Sequence, residues 1–336
     1  MKKLLLLFCI AVLMTACSSS QNKNGSKSSA TVVDYAKTIT ADELKEMLYT
    51  YASDKFEGRR TGEPGQKKAV NYLKDQYVAM GIESPIADGD YFQEIPASYF
   101  KSGIKASENV LAYIEGSEKP SEIIIVSAHL DHIGISGNGD INNGADDDGS
   151  GTIAILEIAE AFKTAVKDGN GPKRSILFLH VTGEEIGLYG SRYYADVDPV
   201  FPLANTVVNL NIDMIGRVDP KHEEKENYLY LIGSDKLSKE LHKVSEDVNK
   251  TFFNMEFDYI YNDENDPNRF YYRSDHYNFA KNNIPVIFYF NGSHADYHKP
   301  SDTPDKINYG FLETRTRLIF HTAWELANRD ERVKLD

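Results

Sequence analysis

Apolar residues recur at helical spacing in some stretches of the chain and crowd into β-branched runs in others. Leu44, Met47, Leu48 and Tyr51 share one face of a helix opened by Thr40-Ala41-Asp42-Glu43, where Thr40 is placed to cap. A second helix is predicted from about Pro64 to Met80, stopping at Gly81. Strands are predicted at 109–114, 122–127, 175–181, 206–212, 228–232 and 284–290. The run Ile123-Ile124-Ile125-Val126 is apolar on both faces, as a strand covered from both sides requires. Helical patterns fall between several of them, at 151–166, 235–250 and 276–281, and a last one covers about 309–328. This alternation predicts an α/β fold: a single domain with a mainly parallel, mixed central sheet and helices on both faces. Residues 254–273 break the rhythm and read as a polar hairpin or lid-like loop, or equally as a plain surface loop. The aromatic run Phe270-Tyr271-Tyr272 reads as packing, with a pocket wall as the alternative.

The N-terminus changes the picture of where such a domain resides. Met1-Lys2-Lys3 precedes an apolar run from Leu4 to Met14 that is too short to span a bilayer, followed by Thr15-Ala16-Cys17. This resembles a bacterial lipobox. The resemblance implies a lipoprotein signal peptide over 1–16, lipidation of Cys17 and export to the cell envelope. Ser18 after Cys17 points to outer-membrane anchoring facing the periplasm. A Ser-rich tether is predicted over 17–39, leaving one domain over 40–336. Cys9 lies in the leader and Cys17 would carry lipid, so no thiol is left for a disulfide. The formal net charge of −14 disfavours nucleic acid as a partner.

Candidate chemistry gathers around Asn143-Gly144-Ala145-Asp146-Asp147-Asp148-Gly149-Ser150-Gly151. Three successive carboxylates repel one another, and the glycines beside them allow a tight turn into the following helix. His129-Leu130-Asp131, Gly183-Glu184-Glu185, Asp213 and His298 lie at or just beyond the carboxyl ends of predicted strands, where open α/β sheets bind ligands. Imidazoles and carboxylates without thiolate suit zinc, with cobalt or manganese as substitutes. The excess of acids suggests two ions sharing a bridging carboxylate, and so metal-assisted hydrolysis. Adjacent Glu184 and Glu185 point different ways, so one can bind metal while the other moves a proton.

Taken together, Ser-Ala-His129-Leu-Asp131-His132, the Asp147 motif, Thr-Gly-Glu184-Glu185-Ile-Gly, Asn-Ile-Asp213-Met-Ile-Gly, Arg273-Ser-Asp-His276 and Asp-Tyr297-His298-Lys-Pro-Ser-Asp-Thr resemble the co-catalytic di-zinc aminopeptidases. Glutamate carboxypeptidase and the glutaminyl cyclases are more distant relatives. The resemblance implies two zinc ions per chain and peptide substrates with a free N-terminus. His129 and Asp213 would hold one ion, Glu185 and His298 the other, and Asp147 would bridge them, with a cis peptide between Asp147 and Asp148. Glu184 would be the general base. Asp131 would orient His129 by accepting its second ring N–H. Tyr297 and Arg273 would steady the oxyanion, and His276 would line the site behind the ligands. His132 reads as a supporting or packing histidine and His180 as a core one. His294 is expected on a loop outside the site, and His222, His242 and His321 as surface or packing residues. The alternatives are a glutaminyl cyclase-like or carboxypeptidase-like zinc enzyme, or a non-catalytic binding module.

Overall fold

The computed structural model describes residues 31–336. The leader over 1–16, Cys17 and most of the tether lie outside these residues. The far end of the tether is a correction. Val32–Ala36 form a short helix (α1), and Tyr35, Ala36 and Ile39 are buried in the main core. Tyr35 stacks on Trp324 with ring centroids 5.5 Å apart, so apolar contact outweighs the Ser-rich composition upstream.

Helix α2 (Ala41–Tyr51) starts where Thr40 Oγ1 accepts the Glu43 amide at 3.2 Å. Helix α3 (Pro64–Met80) has proline in its first turn and ends on Gly81 at φ 70°. The chain continues through β1 (Phe92–Ile95), β2 (Ser107–Ile114) and β3 (Lys119–His129), then the small hairpin of β4 (Gly134–Ile135) and β5 (Ile141–Asn142). Next come α4 (Gly151–Lys167), β6 (Arg174–Val181), α5 (Tyr189–Asp196), β7 (Thr206–Ile212) and β8 (Tyr228–Ile232). The remaining elements are α6 (Lys239–Phe252), β9 (Glu256–Asp258), α7 (His276–Ala280), β10 (Val286–Phe290) and α8 (Tyr309–Asn328).

Eight strands form one mixed sheet in the order β1-β2-β6-β3-β7-β10-β8-β9. The central four, β6, β3, β7 and β10, run parallel. β2 and β8 pair antiparallel to them on either side. Alternation along β3 separates two cores. Ile124, Val126 and Ala128 face the side covered by α1 to α4, α6 and α8, whereas Ile123 and Ile125 face α5 and α7. Helices therefore cover both faces, as the alternating pattern predicts.

Several boundaries move for local reasons. α6 begins at Lys239 rather than Asp235 because Ser238 Oγ accepts the Leu241 amide at 3.1 Å. β10 begins at Val286, after Pro285, which has no N–H to give. The short β1, α5 and β9 and the β4–β5 hairpin carry too little periodicity to be read from sequence. Residues 254–273 form no hairpin. β9 adds to the edge of the sheet, and the rest is a packed loop in which Tyr261 and Phe270 are buried against Tyr230 and Phe290.

Because the central strands are parallel, their carboxyl ends share one rim, and the polar motifs meet there. A separate groove lined by Arg174, Thr206, Pro285 and residues 330–335 lies at the opposite rim and contains none of them.

Candidate metal centre

The three successive aspartates have three different roles, assigned by partners far along the chain. Asp148 gives both oxygens to backbone amides: Gly151 at 3.0 Å, Met214 at 3.1 Å and His129 at 3.2 Å. It lies near His129 and Asp213, yet its carboxylate is spent on tying β3, β7 and the start of α4 together. Asp146 accepts the Gly216 amide at 2.7 Å, and its other oxygen stands 3.2 Å from His294 Nε2. His294, expected outside the site, is therefore buried beside Asp146, though the two atoms make no hydrogen bond. Asp302 in turn accepts the amides of Asp146 at 3.0 Å and Asp147 at 3.2 Å. Asp147 alone is left to face inward, and the peptide joining it to Asp148 is cis.

The two oxygens of Asp147 look toward two separate sets of donors. Oδ1 is 3.1 Å from His129 Nε2, which is 3.6 Å from Asp213 Oδ1. Oδ2 is 3.0 Å from His298 Nε2, itself 3.1 Å from Glu185 Oε2. All five residues proposed as ligands from the sequence are thus brought together, with Asp147 in the middle. Burial would raise Asp147, but the surrounding imidazoles of His132, His129 and His298 hold its carboxyl well below the usual range. His132 is in the cluster as well: its Nδ1 lies 2.7 Å from Glu185 Oε1 and 3.7 Å from Asp147 Oδ2.

The residues behind the ligands are partly those predicted and partly not. Asp131 does not take the ring proton of His129 on its carboxylate, as expected. His129 Nδ1 pairs with the Asp131 backbone carbonyl at 3.0 Å, and the carboxylate is 3.9 Å away. That carboxylate instead accepts Thr61 Oγ1 at 2.7 Å and the Glu184 amide at 3.2 Å, so Asp131 holds the segment carrying the proposed base. His276 is also a correction. Its ring lies on Phe288 at 4.8 Å between centroids, and burial pushes its pKa down to about 3. It is a neutral packing histidine.

Ser274, two residues earlier, is the member of that motif that reaches a proposed ligand. Its Oγ donates to Asp213 Oδ2 at 2.7 Å and accepts Asn211 Nδ2 at 2.9 Å. Asn211 Oδ1 accepts Ser127 Oγ at 2.7 Å, and Ser127 Oγ accepts Asn209 Nδ2 at 2.8 Å. Every bond in this buried chain points its donor toward Asp213, so the dipoles add. One signal was available: Ser127, Asn209 and Asn211 are polar positions inside otherwise apolar strands.

Buried Arg59 was not anticipated either. It donates to the carbonyls of Leu130 (3.1 Å), Asn143 (2.6 Å) and Gly144 (2.8 Å), locking the His129 segment against the Asp147 segment.

Glu184 borders a cavity lined by His129, Asp147, Asp213, Tyr297, Arg273 and an apolar wall of Met214, Phe270, Phe288 and Phe290. Burial, reinforced by Glu185, Asp213 and Asp275, pushes its carboxyl well above the usual range despite nearby His129. The Tyr297 ring stacks on His298 at 3.9 Å, and the exposed Arg273 guanidinium lies 4.9 Å from the Phe270 ring centre. Phe270 is thus a cavity wall, whereas Tyr272 points to solvent at 44% exposure.

The donors fit divalent ions. His132 Nδ1, Asp147 Oδ2 and Glu185 Oε1 are buried, face one another and make no hydrogen bond, a costly arrangement unless a cation holds them. A carboxylate and imidazole set of this kind suits zinc. Sheet and centre together define a class, α/β proteins with a candidate metal centre at the carboxyl rim of a mixed sheet. The model of peptidase family M28 matches residues 109–323, and the chain belongs to that family.

It is 32% identical over 173 residues to leupeptin-inactivating enzyme 1 of Streptomyces exfoliatus, covering 52% of this chain and 35% of that protein. It is 27% identical over 238 residues to aminopeptidase YwaD of Bacillus subtilis (strain 168), covering 69% of this chain and 45% of that one. The chain spans less than half the length of these two relatives. The solved LapA aminopeptidase of Legionella pneumophila shares the fold, with a TM-score of 0.68 at 21% identity over 89% of this chain and 75% of its own.

Proposed function

We propose that this chain is an exopeptidase that hydrolyses the N-terminal peptide bond of peptides, using two zinc ions and Glu184 as general base. The observation that carries the reading is the division of Asp147, whose oxygens face His129 with Asp213 on one side and His298 with Glu185 on the other. Those five residues would hold the ions. Bound there, zinc supplies Lewis acidity and lowers the pKa of water. Glu184, on the cavity beside His129, Asp147 and Asp213, takes the proton from the attacking water and passes it to the leaving amine. Tyr297 and Arg273, on the cavity wall, donate to the oxygen that gains charge. The surrounding carboxylates favour a free ammonium group, which limits cleavage to the first bond.

The rival readings find less support. A glutaminyl cyclase would carry a tryptophan just before the last ligand histidine, whereas Tyr297 precedes His298 and the single tryptophan, Trp324, packs on Tyr35 and Phe162 in the core. A carboxypeptidase needs cations for the terminal carboxylate. Arg273 lines the cavity, but Arg269 lies over Tyr272 in a separate depression with Asp263, Glu264 and Asp266. A non-catalytic module would have lost a ligand or the base.

The test uses zinc-loaded protein with a free-N-terminus peptide, its acetylated twin and an N-terminal Gln peptide, identifying products by mass. Release of the first residue from the free peptide alone is expected. Glu184→Gln should keep its zinc and lose about 100- to 10,000-fold in kcat. Full activity in that variant would remove Glu184 from the role.

We also propose, from the leader pattern alone, that the protein is a lipoprotein anchored through Cys17 in the outer membrane, facing the periplasm. Among the described residues no helix is long and apolar enough to cross a membrane. Cys17→Ser should release the protein from the membrane fraction and abolish fatty-acid labelling. Unchanged labelling would refute the anchor.

A further inference from the structure

We propose that His132 is a third imidazole ligand of the metal centre, closing the half formed by Asp147, Glu185 and His298 while the His129 half stays open to substrate. The proposal rests on the two-metal reading above and adds a division of labour within it.

The His132 ring is fully buried and neither of its nitrogens makes a hydrogen bond. Its Nδ1 is 2.7 Å from Glu185 Oε1, yet the two are misaligned for a hydrogen bond, and Asp147 Oδ2 beside them is likewise unpaired. Three unpaired buried donor atoms lying within 4.8 Å of one another match what ligands of a single ion require. A ring that merely supported Glu185 would aim its N–H at the carboxylate. The backbone also makes room for the ring. A Cβ on Gly144 would come within 2.6 Å of His132 Cγ and Cδ2, so this position must stay glycine for the imidazole to enter. The His132 amide is held by the Arg59 carbonyl at 3.3 Å, on the residue that locks both ligand-bearing segments.

The cavity shows what the extra ligand does. It is lined by His129, Asp147 and Asp213 but not by His132, Glu185 or His298. With His132, the second half has three buried donors within reach of one ion and His298 on its exposed side, the pattern of a tightly held ion. The first half has three donors and a free position beside Glu184, the pattern of a reactive one. His298, at 38% side-chain exposure, is the weaker anchor of its half, and His132 is the buried one.

The deciding experiment is X-ray absorption at the zinc edge on the full chain, loaded with one and then two equivalents of zinc. Two imidazoles per zinc are expected at one equivalent, and three imidazoles shared by two ions at saturation. A count of one imidazole per zinc at both loadings would overturn the proposal while leaving the two-metal reading intact. Uptake of only one ion at saturating zinc would overturn that reading and the proposal with it. His132→Gln, checked for folding by circular dichroism, should weaken the tighter site by more than about 100-fold, beyond the 10- to 100-fold that a supporting residue commands. A smaller loss, with the looser site unchanged, would place His132 outside the ligand set.

Discussion

Ser274→Ala is the perturbation that best separates the metal ligands from the scaffold behind them. Ser274 Oγ donates to Asp213 Oδ2 at 2.7 Å and occupies that oxygen, leaving Oδ1, on the His129 side, for metal. A hydrogen bond to a charged group contributes about 1.5–3 kcal/mol, and its loss also strands Asn211 Nδ2, which is buried. At about 1.4 kcal/mol per factor of ten, the zinc site built on His129 and Asp213 should weaken by roughly 10- to 100-fold. The site built on Glu185 and His298 should change by less than about threefold, since Ser274 touches neither residue. The assay is a two-site zinc titration against a competing chelator. Ser274→Thr, which keeps the hydroxyl, should restore most of the affinity. Asn209→Ala, three links up the chain, should cost less than Ser274→Ala because each link passes on only part of the polarisation. Equal weakening of both zinc sites, or none at either, would refute the idea that this chain acts on Asp213.

Other consequences can be measured on the same protein. Glu157 is 2% exposed, and burial with Glu43 and Glu160 nearby raises its pKa to about 8. The folded state therefore keeps a proton that the unfolded state has lost, so its stabilising contribution is full below about pH 4.5 and disappears as pH rises to 8. Glu157→Gln should flatten the pH dependence of the urea midpoint between pH 5 and 8 by up to about 1.4 kcal/mol per unit, and an unchanged slope would count against this. Arg59→Met should lose about 3 kcal/mol or more, because three charged hydrogen bonds are lost and the Asn143 carbonyl is left without a donor, which corresponds to roughly 6–12 °C in Tm by calorimetry. Stripping metal with a chelator should lower Tm, since Asp147, Glu185 and Asp213 then keep only the neighbouring imidazoles as partners. Re-adding zinc at about 100 times its Kd should restore roughly 2.7 kcal/mol, and a Tm indifferent to both treatments would argue against a metal centre.

Period and punctuation along the chain were enough to locate the central strands and the long helices, because β-branched runs and capping residues act within a few positions. They were also enough to bring His129, Glu184-Glu185, Asp213 and His298 to one rim, since each follows a strand of a parallel sheet, whereas the assignment of ligands among them, with Asp147 as the bridge, came from the resemblance to the di-zinc aminopeptidases. What Asp146, Asp147 and Asp148 each do could not be read that way. Three identical side chains in a row are told apart only by Gly216, Asp302 and Met214, which fold onto them from 66 to 156 residues away. The same holds for the exchange of roles in Arg273-Ser274-Asp275-His276. Whether the histidine or the serine reaches Asp213 depends on which way the turn before α7 faces, and packing against Phe288 sets that direction. Local sequence thus determined which chemistry was present and at which edge. Long-range packing decided which atom of each residue met a partner, because hydrogen bonds and ligand geometry act over about 3 Å while sequence spacing leaves side-chain direction open.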